Sequence, residues 1–149
     1  MSYSRNFNPA DMDEVERIFL SELDEIIPPS DILTFSALWP RGQFVACEPS
    51  GRIIGALFGT MEDGKARIMA IAVEERHTRK GVASGLLESF MAEAVTRGAG
   101  TIILEVRPGN RPAHEFYKKK GFTEKAYLEN HYSDGGPCIV MVAPAARFS

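Results

Sequence analysis

Apolar residues recur along this chain in two periods, and the switches between them outline its elements. The opening "SYSRNF" alternates and predicts a short strand. Asn8 then caps a helix with Pro9 in its first position, where a missing N–H is harmless. Met12, Val15, Ile18, Phe19, Leu23 and Ile26 follow at helical spacing and mark its buried face. Pro28 and Pro29 break the chain, Ser30 caps a second short helix in "DILTFSALW", and Pro40 ends it. Three strands come next. "QFVACE" and "RIIGALFGT" are joined by the turn "PSG", and "ARIMAIAV" follows the Asp-Gly turn "EDGK". A helix from Val82 to Arg97 carries Val82, Ala83, Leu86, Leu87, Phe90, Met91, Ala94 and Val95 on one stripe and stops at Gly98. "TIILEVR" is a strand, Pro112 to Lys120 a short helix stopped by Gly121, and "FTEKAYL" and "CIVMVA" are two closing strands around "SDGGP".

The predicted order is β-α-α-β-β-β-α-β-α-β-β, an α/β (α+β) chain with a mixed, mostly antiparallel sheet. The strand-helix-strand unit from Ile68 to Val106 pairs its two strands in parallel through a right-handed crossover. Ligands bind such sheets where strand carboxyl ends diverge.

Length and composition narrow the function. The 149 residues fit one domain spanning 1–149, with 44% apolar and 25% charged residues, which suits a globular core without metal or disulfides. A net charge of −3 argues against a general nucleic-acid binder. Cys47 and Cys138 form no CxxC pair and have no metal-ligand spacing with the histidines, so they are expected as buried thiols and no metal is expected. "MSYSRNF" has no secretory h-region and no apolar run reaches the length of a membrane span, so the expected setting is cytoplasmic, with no membrane partner. His77 and His114 have no evident partner and read as surface residues.

The chemistry concentrates in "EERHTRKGVAS". Gly81 lets a ligand approach the backbone, and the amides from Arg79 to Ser84 open a helix without intrahelical acceptors. With the helix dipole and the charges of Arg79 and Lys80, they favour a phosphate. A turn that merely reverses the chain is the alternative. Neither the nucleotide-triphosphate loop nor the dinucleotide glycine fingerprint is present.

"VEERHTRKGVASGLL" resembles the acetyl-CoA motif of the GNAT (GCN5-related) N-acetyltransferases, Gln/Arg-x-x-Gly-x-Gly/Ala before an apolar helix. Gly81 and Ala83 hold the small positions, and Thr78 stands where that family has Gln or Arg. "LEVRPGNRPAHEFYKKKGF" and "ENHYSDG" resemble the RimI-like branch, which acetylates protein α-amines and includes archaeal enzymes of broad N-terminal specificity. His131 replaces the first tyrosine of that branch's hairpin, and "GGPC" occupies the place of its acidic residue. The resemblance implies the GNAT fold, with the central parallel pair splayed to hold CoA. It implies acetyl-CoA as cosubstrate, held by Ile71, Ala72, Val73, Thr78, Arg79, Lys80, Gly81, Val82, Ala83, Ser84, Asn110 and Tyr117. The acceptor is a protein or peptide N-terminus, such as that of a ribosomal protein, held by Ile27, Pro28, Pro29, His131 and Tyr132; a solvated hairpin tip is the alternative for the last two. A monomer or homodimer would suffice.

Glu105 shares one strand face with Ile103 and Arg107, opposite Ile102, Leu104 and Val106. By residue chemistry it is either a base facing a cleft or the partner of Arg107 or another cation; the resemblance implies the base. Tyr117 is either a core tyrosine or, as the resemblance implies, the acid that protonates the CoA thiolate. Asn110 either caps the following helix or bonds pantetheine. Deprotonating an α-amine of pKa ~8 at neutral pH costs only ~1–1.5 kcal/mol, against roughly 4–5 kcal/mol for lysine, so a single carboxylate suits an N-terminus. Two rival functions remain: a GNAT enzyme for small amines or an antibiotic, and a non-catalytic acyl-CoA-binding module.

Overall fold

The structure, a computed structural model, describes residues 1–23 and 25–145. Strands β1 (Tyr3–Asn6), β2 (Phe44–Cys47), β3 (Ile53–Glu62), β4 (Lys65–Val73), β5 (Thr101–Val106), β6 (Thr123–Leu128) and β7 (Cys138–Pro144) form one sheet in the order β1-β2-β3-β4-β5-β7-β6. Every neighbouring pair is antiparallel except β4–β5. Helices α1 (Met12–Glu22) and α2 (Pro29–Leu38) cover one face, and α3 (Val82–Thr96) and α4 (Arg111–Lys119) cover the other. The predicted element order and the parallel pair are both present.

A one-residue irregularity in β4 shapes the centre of the sheet. Phe58 pairs with Ala70 and Gly59 with Ile68, which leaves Met69 as an extra, bulged residue. The bulge exchanges the faces of the strand. Before it, Ala66 and Ile68 pack in the core under α3; after it, Ala70 and Ala72 pack in the core under α1, and Ile71 and Val73 turn toward α3. Pairing with β5 runs from Lys65↔Thr101 to Ile68↔Leu104 and ends at the bulge. Beyond that point the two strands continue to Val73 and Val106 without bonding each other.

A buried amide braces the opposite edge of the bulge. Gln43, fully inaccessible, donates from Nε2 to the carbonyls of Phe35 (3.1 Å), Trp39 (3.0 Å) and Gly59 (2.9 Å), and its Oε1 accepts from Gly59 N–H (2.8 Å). Gly59 has no room for a side chain: a Cβ there would meet Phe90 at 2.4 Å and the Arg67 carbonyl at 2.7 Å. The end of α2, β3 and α3 are therefore held together around the distortion.

Some boundaries differ from the sequence expectation. Asn8 caps a 3-10 turn, Pro9–Asp11, ahead of α1, and Ile26 lies beyond α1 with 82% of its surface exposed. Helix α2 starts at Pro29 with Pro28 as its cap, not Ser30, because the fixed φ and missing N–H of proline suit a first helical position. Helices α3 and α4 each end one residue earlier than expected, and α4 begins at Arg111.

Gln43→Leu leaves buried carbonyls and the Gly59 amide without partners, a loss of at least about 2 kcal/mol in unfolding free energy. Urea or thermal unfolding of the two proteins measures it; equal stability would show that Gln43 does not brace the bulge.

Candidate functional site between two diverging strands

The gap between β4 and β5 runs from one face of the sheet to the other. On the α3–α4 side it opens into a cavity of about 750 Å³, lined by Ile71, Val73, Gly81, Ala83, Phe116 and Tyr117 among others. On the α1–α2 side lies a smaller cavity of about 150 Å³, whose walls include Ile27, Met69, Glu105, Arg107 and Tyr132. Ile71, Ala113 and Tyr117 border both. On the β5 side of β4, alternate residues after Ile68 have backbone N–H and C=O groups that no strand among the described residues takes up, an edge on which an extended amide chain can bond.

The turn at the head of the larger cavity is built to leave its amides free. Glu74 follows β4 and is buried, held by Arg52 (2.6 and 2.9 Å) and Arg17 (2.8 Å). The hydrogen bonds from Arg52 and then Arg17 pull its carboxyl from the ordinary 4.5 down to about 2. After a 3-10 turn over Glu75–His77, the Thr78 hydroxyl and amide both donate to the Glu75 carbonyl, at 2.8 and 3.1 Å. Thr78 thus closes the turn with its side chain. Arg79 and Gly81 take positive φ, 65° and 81°, and a Cβ on Gly81 would meet nothing within 4 Å. Gly85 is the first α3 residue whose amide finds an intrahelical carbonyl, that of Gly81 at 3.0 Å. The amides of Val82, Ala83 and Ser84 precede it at the positive end of the helix, a position that favours negative charge. Thr78, Arg79, Gly81, Val82, Ala83 and Ser84 all border the larger cavity; Lys80 is exposed and does not.

Glu105 sits where the strands part, on the face opposite the Ile102, Leu104 and Val106 core. One carboxylate oxygen is 2.8 Å from His131 Nε2, and the other accepts from Arg67 at 3.3 Å. The cation beside it is therefore Arg67 of β4. Arg107 is engaged elsewhere: its Nε donates to Glu25 at 2.5 Å, its Nη1 lies 3.1 Å from Asp134, and its guanidinium stacks on the Tyr132 ring at 4.1 Å. The α1–α2 connection and the β6–β7 loop are joined through Arg107 across the mouth of the smaller cavity. Burial pushes the Tyr132 phenol up to about 12.

Tyr117, on α4, is buried between the two cavities, and burial raises its phenol well above its ordinary value, so it is protonated at neutral pH. Asn110 caps α4 through its side-chain oxygen, which accepts from Ala113 N–H at 3.3 Å, and it borders the smaller cavity. Ile27 and Tyr132 line the smaller cavity, His131 meets it through Glu105, and Pro28 and Pro29 lie outside it at the start of α2.

Residues 12–122 match the model of the acetyltransferase (GNAT) family. The chain belongs to that family. It is an acyltransferase, and GNAT enzymes draw the acetyl group from acetyl-CoA. An N-alpha-acetyltransferase of Sulfurisphaera tokodaii is 31% identical over 153 aligned positions, covering 94% of this chain and 91% of the relative. The crystal structure of Ard1 from Thermoplasma volcanium superposes with a TM-score of 0.91 at 34% identity, covering 96% of this chain and 97% of that one. The ribosomal-protein-S18-alanine N-acetyltransferase from Escherichia coli superposes at 0.82 with 25% identity, covering 97% and 94%. The GNAT fold and its splayed strand pair fit an elongated cosubstrate with an anionic end: bare amides at the α3 terminus, a free β edge, and a cavity joining them.

Several site residues were not visible in the sequence. Met69, Arg67, Glu25 and Asp134 are recruited through the bulge, strand pairing and loop contacts, none of which leaves a local motif. Both histidines read as unpartnered surface residues are half-buried: His114 has a hydrogen-bond partner, while His77 Nε2 has carboxylates near it and makes no hydrogen bond among the described residues. His114 Nε2 is 2.9 Å from Glu124, and the half-buried His77 lies 3.5 Å from Glu48 and 3.8 Å from Glu74. Glu124 and Glu48 are distant in sequence and Glu74 lies across a turn, so no local motif marks the three carboxylates.

Glu74 positions the turn through ion pairs, and its lowered carboxyl gives those pairs a pH signature. The stabilisation is complete above the ordinary carboxylate value of 4.5 and is lost as pH falls from there toward about 2. Thermal unfolding across this range should show wild type well above Glu74→Gln at neutral pH, with the gap closing on acidification. A constant gap would mean that the ion pairs are not its source.

Proposed function

We propose that this GNAT protein is an N-α-acetyltransferase, moving the acetyl group of acetyl-CoA to the α-amine of protein N-termini, with Glu105 as base and Tyr117 as acid. One observation carries the reading: Glu105 and Tyr117 border the same opening, with the large cavity on one side and the smaller, loop-roofed cavity on the other. Whole-length similarity to an N-alpha-acetyltransferase supports the α-amine as acceptor.

The division of labour follows the geometry. The amides of Val82, Ala83 and Ser84 take the pyrophosphate, and the unpaired edge at Ile71–Val73 takes the pantetheine chain, assisted by Asn110. The peptide enters by the smaller cavity, between Ile27 and the His131–Tyr132 loop. Glu105 accepts the ammonium proton, directly or through one water; Arg67 and His131 fix the carboxylate in place. A backbone N–H at the strand edge faces the developing oxyanion. Tyr117, protonated at neutral pH, supplies a proton to the departing sulfur and regains one as the nitrogen gives up its second proton, so no free phenolate persists. No metal enters these steps. A ribosomal protein is one acceptor class to test, given the E. coli relative, and the chemistry fits the cytoplasm, where acetyl-CoA and new chain ends meet.

Glu105→Gln should lower kcat by about 100-fold or more with acetyl-CoA affinity little changed, and Tyr117→Phe by about tenfold or more. Acetylation of a peptide library, read by mass spectrometry, should place the acetyl group on α-nitrogens. Modification of ε-nitrogens, or activity confined to small amines, would overturn the assignment; acetyl-CoA binding without turnover on any amine would make the protein a binding module.

A further inference from the structure

Glu105, His131 and Cys138 come from β5, the β6–β7 loop and the first position of β7, yet their ligand atoms lie within 4.8 Å of one another. We infer that a carboxylate oxygen of Glu105, the imidazole of His131 and the sulfur of Cys138 form a binding site for a thiophilic divalent cation such as Zn²⁺. Cys138 is a free thiol, fully buried at the head of β7.

Each of the three donors, a carboxylate oxygen, an imidazole nitrogen and a thiolate sulfur, is of a type that zinc accepts, with a fourth position left to water. Tetrahedral bonds of ~2.0–2.3 Å place ligand atoms about 3.3–3.6 Å apart. Glu105 Oε1 and His131 Nε2 stand at 2.8 Å and part slightly; the sulfur closes by on the order of 1 Å. The His131 ring is steadied edge-on by Tyr132, at 5.0 Å between ring centres, and the loop is tied by His131 and Tyr132 amides donating to the Gly136 carbonyl. Binding releases the Cys138 proton to solvent and takes His131 neutral, so carboxylate and thiolate together balance the cation. Arg67 is the opposing charge, but its side chain is 39% exposed and its contact with Glu105 is 3.3 Å, so releasing it costs little.

A cation here occupies the lone pair that takes the amine proton. Zn²⁺ should therefore block acetylation in competition with the peptide and not with acetyl-CoA. That consequence rests on the base role of Glu105; binding itself does not.

Titration of the whole protein with Co²⁺ tests the site without reference to activity. One Co²⁺ per chain should bind with a sulfur-to-cobalt charge-transfer band that Zn²⁺ abolishes, and Cys138→Ser should lose the band while its thermal unfolding shows it folded. His131→Ala, at an exposed position, should weaken Co²⁺ binding by at least about tenfold and provides the test should Cys138→Ser not fold. Absence of the band in wild type, an undiminished band in Cys138→Ser, or unchanged affinity in His131→Ala would overturn the proposal. A Zn²⁺-loaded protein that still acetylates at full rate would uphold the site and count against Glu105 as base.

Discussion

The architecture depends on one misalignment. Met69 has no partner in β3, and from that residue onward β4 presents its other face to each core and leaves β5. A regular strand would keep Ala70 and Ala72 under α3 and carry the parallel ladder onward, closing the gap. With the bulge, the small side chains Ala70 and Ala72 let α1 pack closely, while Ile71 and Val73 line the gap from above. Local strand pairing is sacrificed where a ligand backbone can restore it. The buried Gln43 and the side-chain-free Gly59 on β3 keep the distortion in a single place.

The opening separates two electrostatic tasks by a sheet's thickness. On the α3 side the groups on offer are backbone dipoles and helix polarity, which need no particular side chain, and Thr78 spends its hydroxyl on closing the turn. On the α1 side the groups are side chains: Glu105 with His131 at one carboxylate oxygen and Arg67 at the other. Tyr117 lies at the partition with a phenol that burial keeps neutral.

What could be read in the sequence was local. The glycine-marked turn at Gly81, the carboxylate Glu105 inside an apolar strand and the crossover between β4 and β5 each leave a signal within a few residues. The bulge leaves none: Ala66, Ile68, Ala70 and Ala72 keep an unbroken alternation, although the last two bury on the opposite face from the first two. The meeting of Glu105 with Cys138 is equally silent, because it arises from the register that sets Glu105 against Val140 and from a loop folding back over that strand end. Parity of side chains predicts faces only while the ladder is regular, and function has settled where it is not.

The Arg107 junction bears on the thermodynamics of encounter. Glu25 and Asp134 belong to loops far apart in sequence, and a single guanidinium, flat against Tyr132, ties both before any acceptor arrives. Ordering two loops around a flexible chain end would otherwise consume part of the binding free energy, on the order of 0.5–1.5 kcal/mol for each immobilised side chain. Here Arg107 already joins the two loops in the folded chain, so an acceptor entering between them need not order them itself.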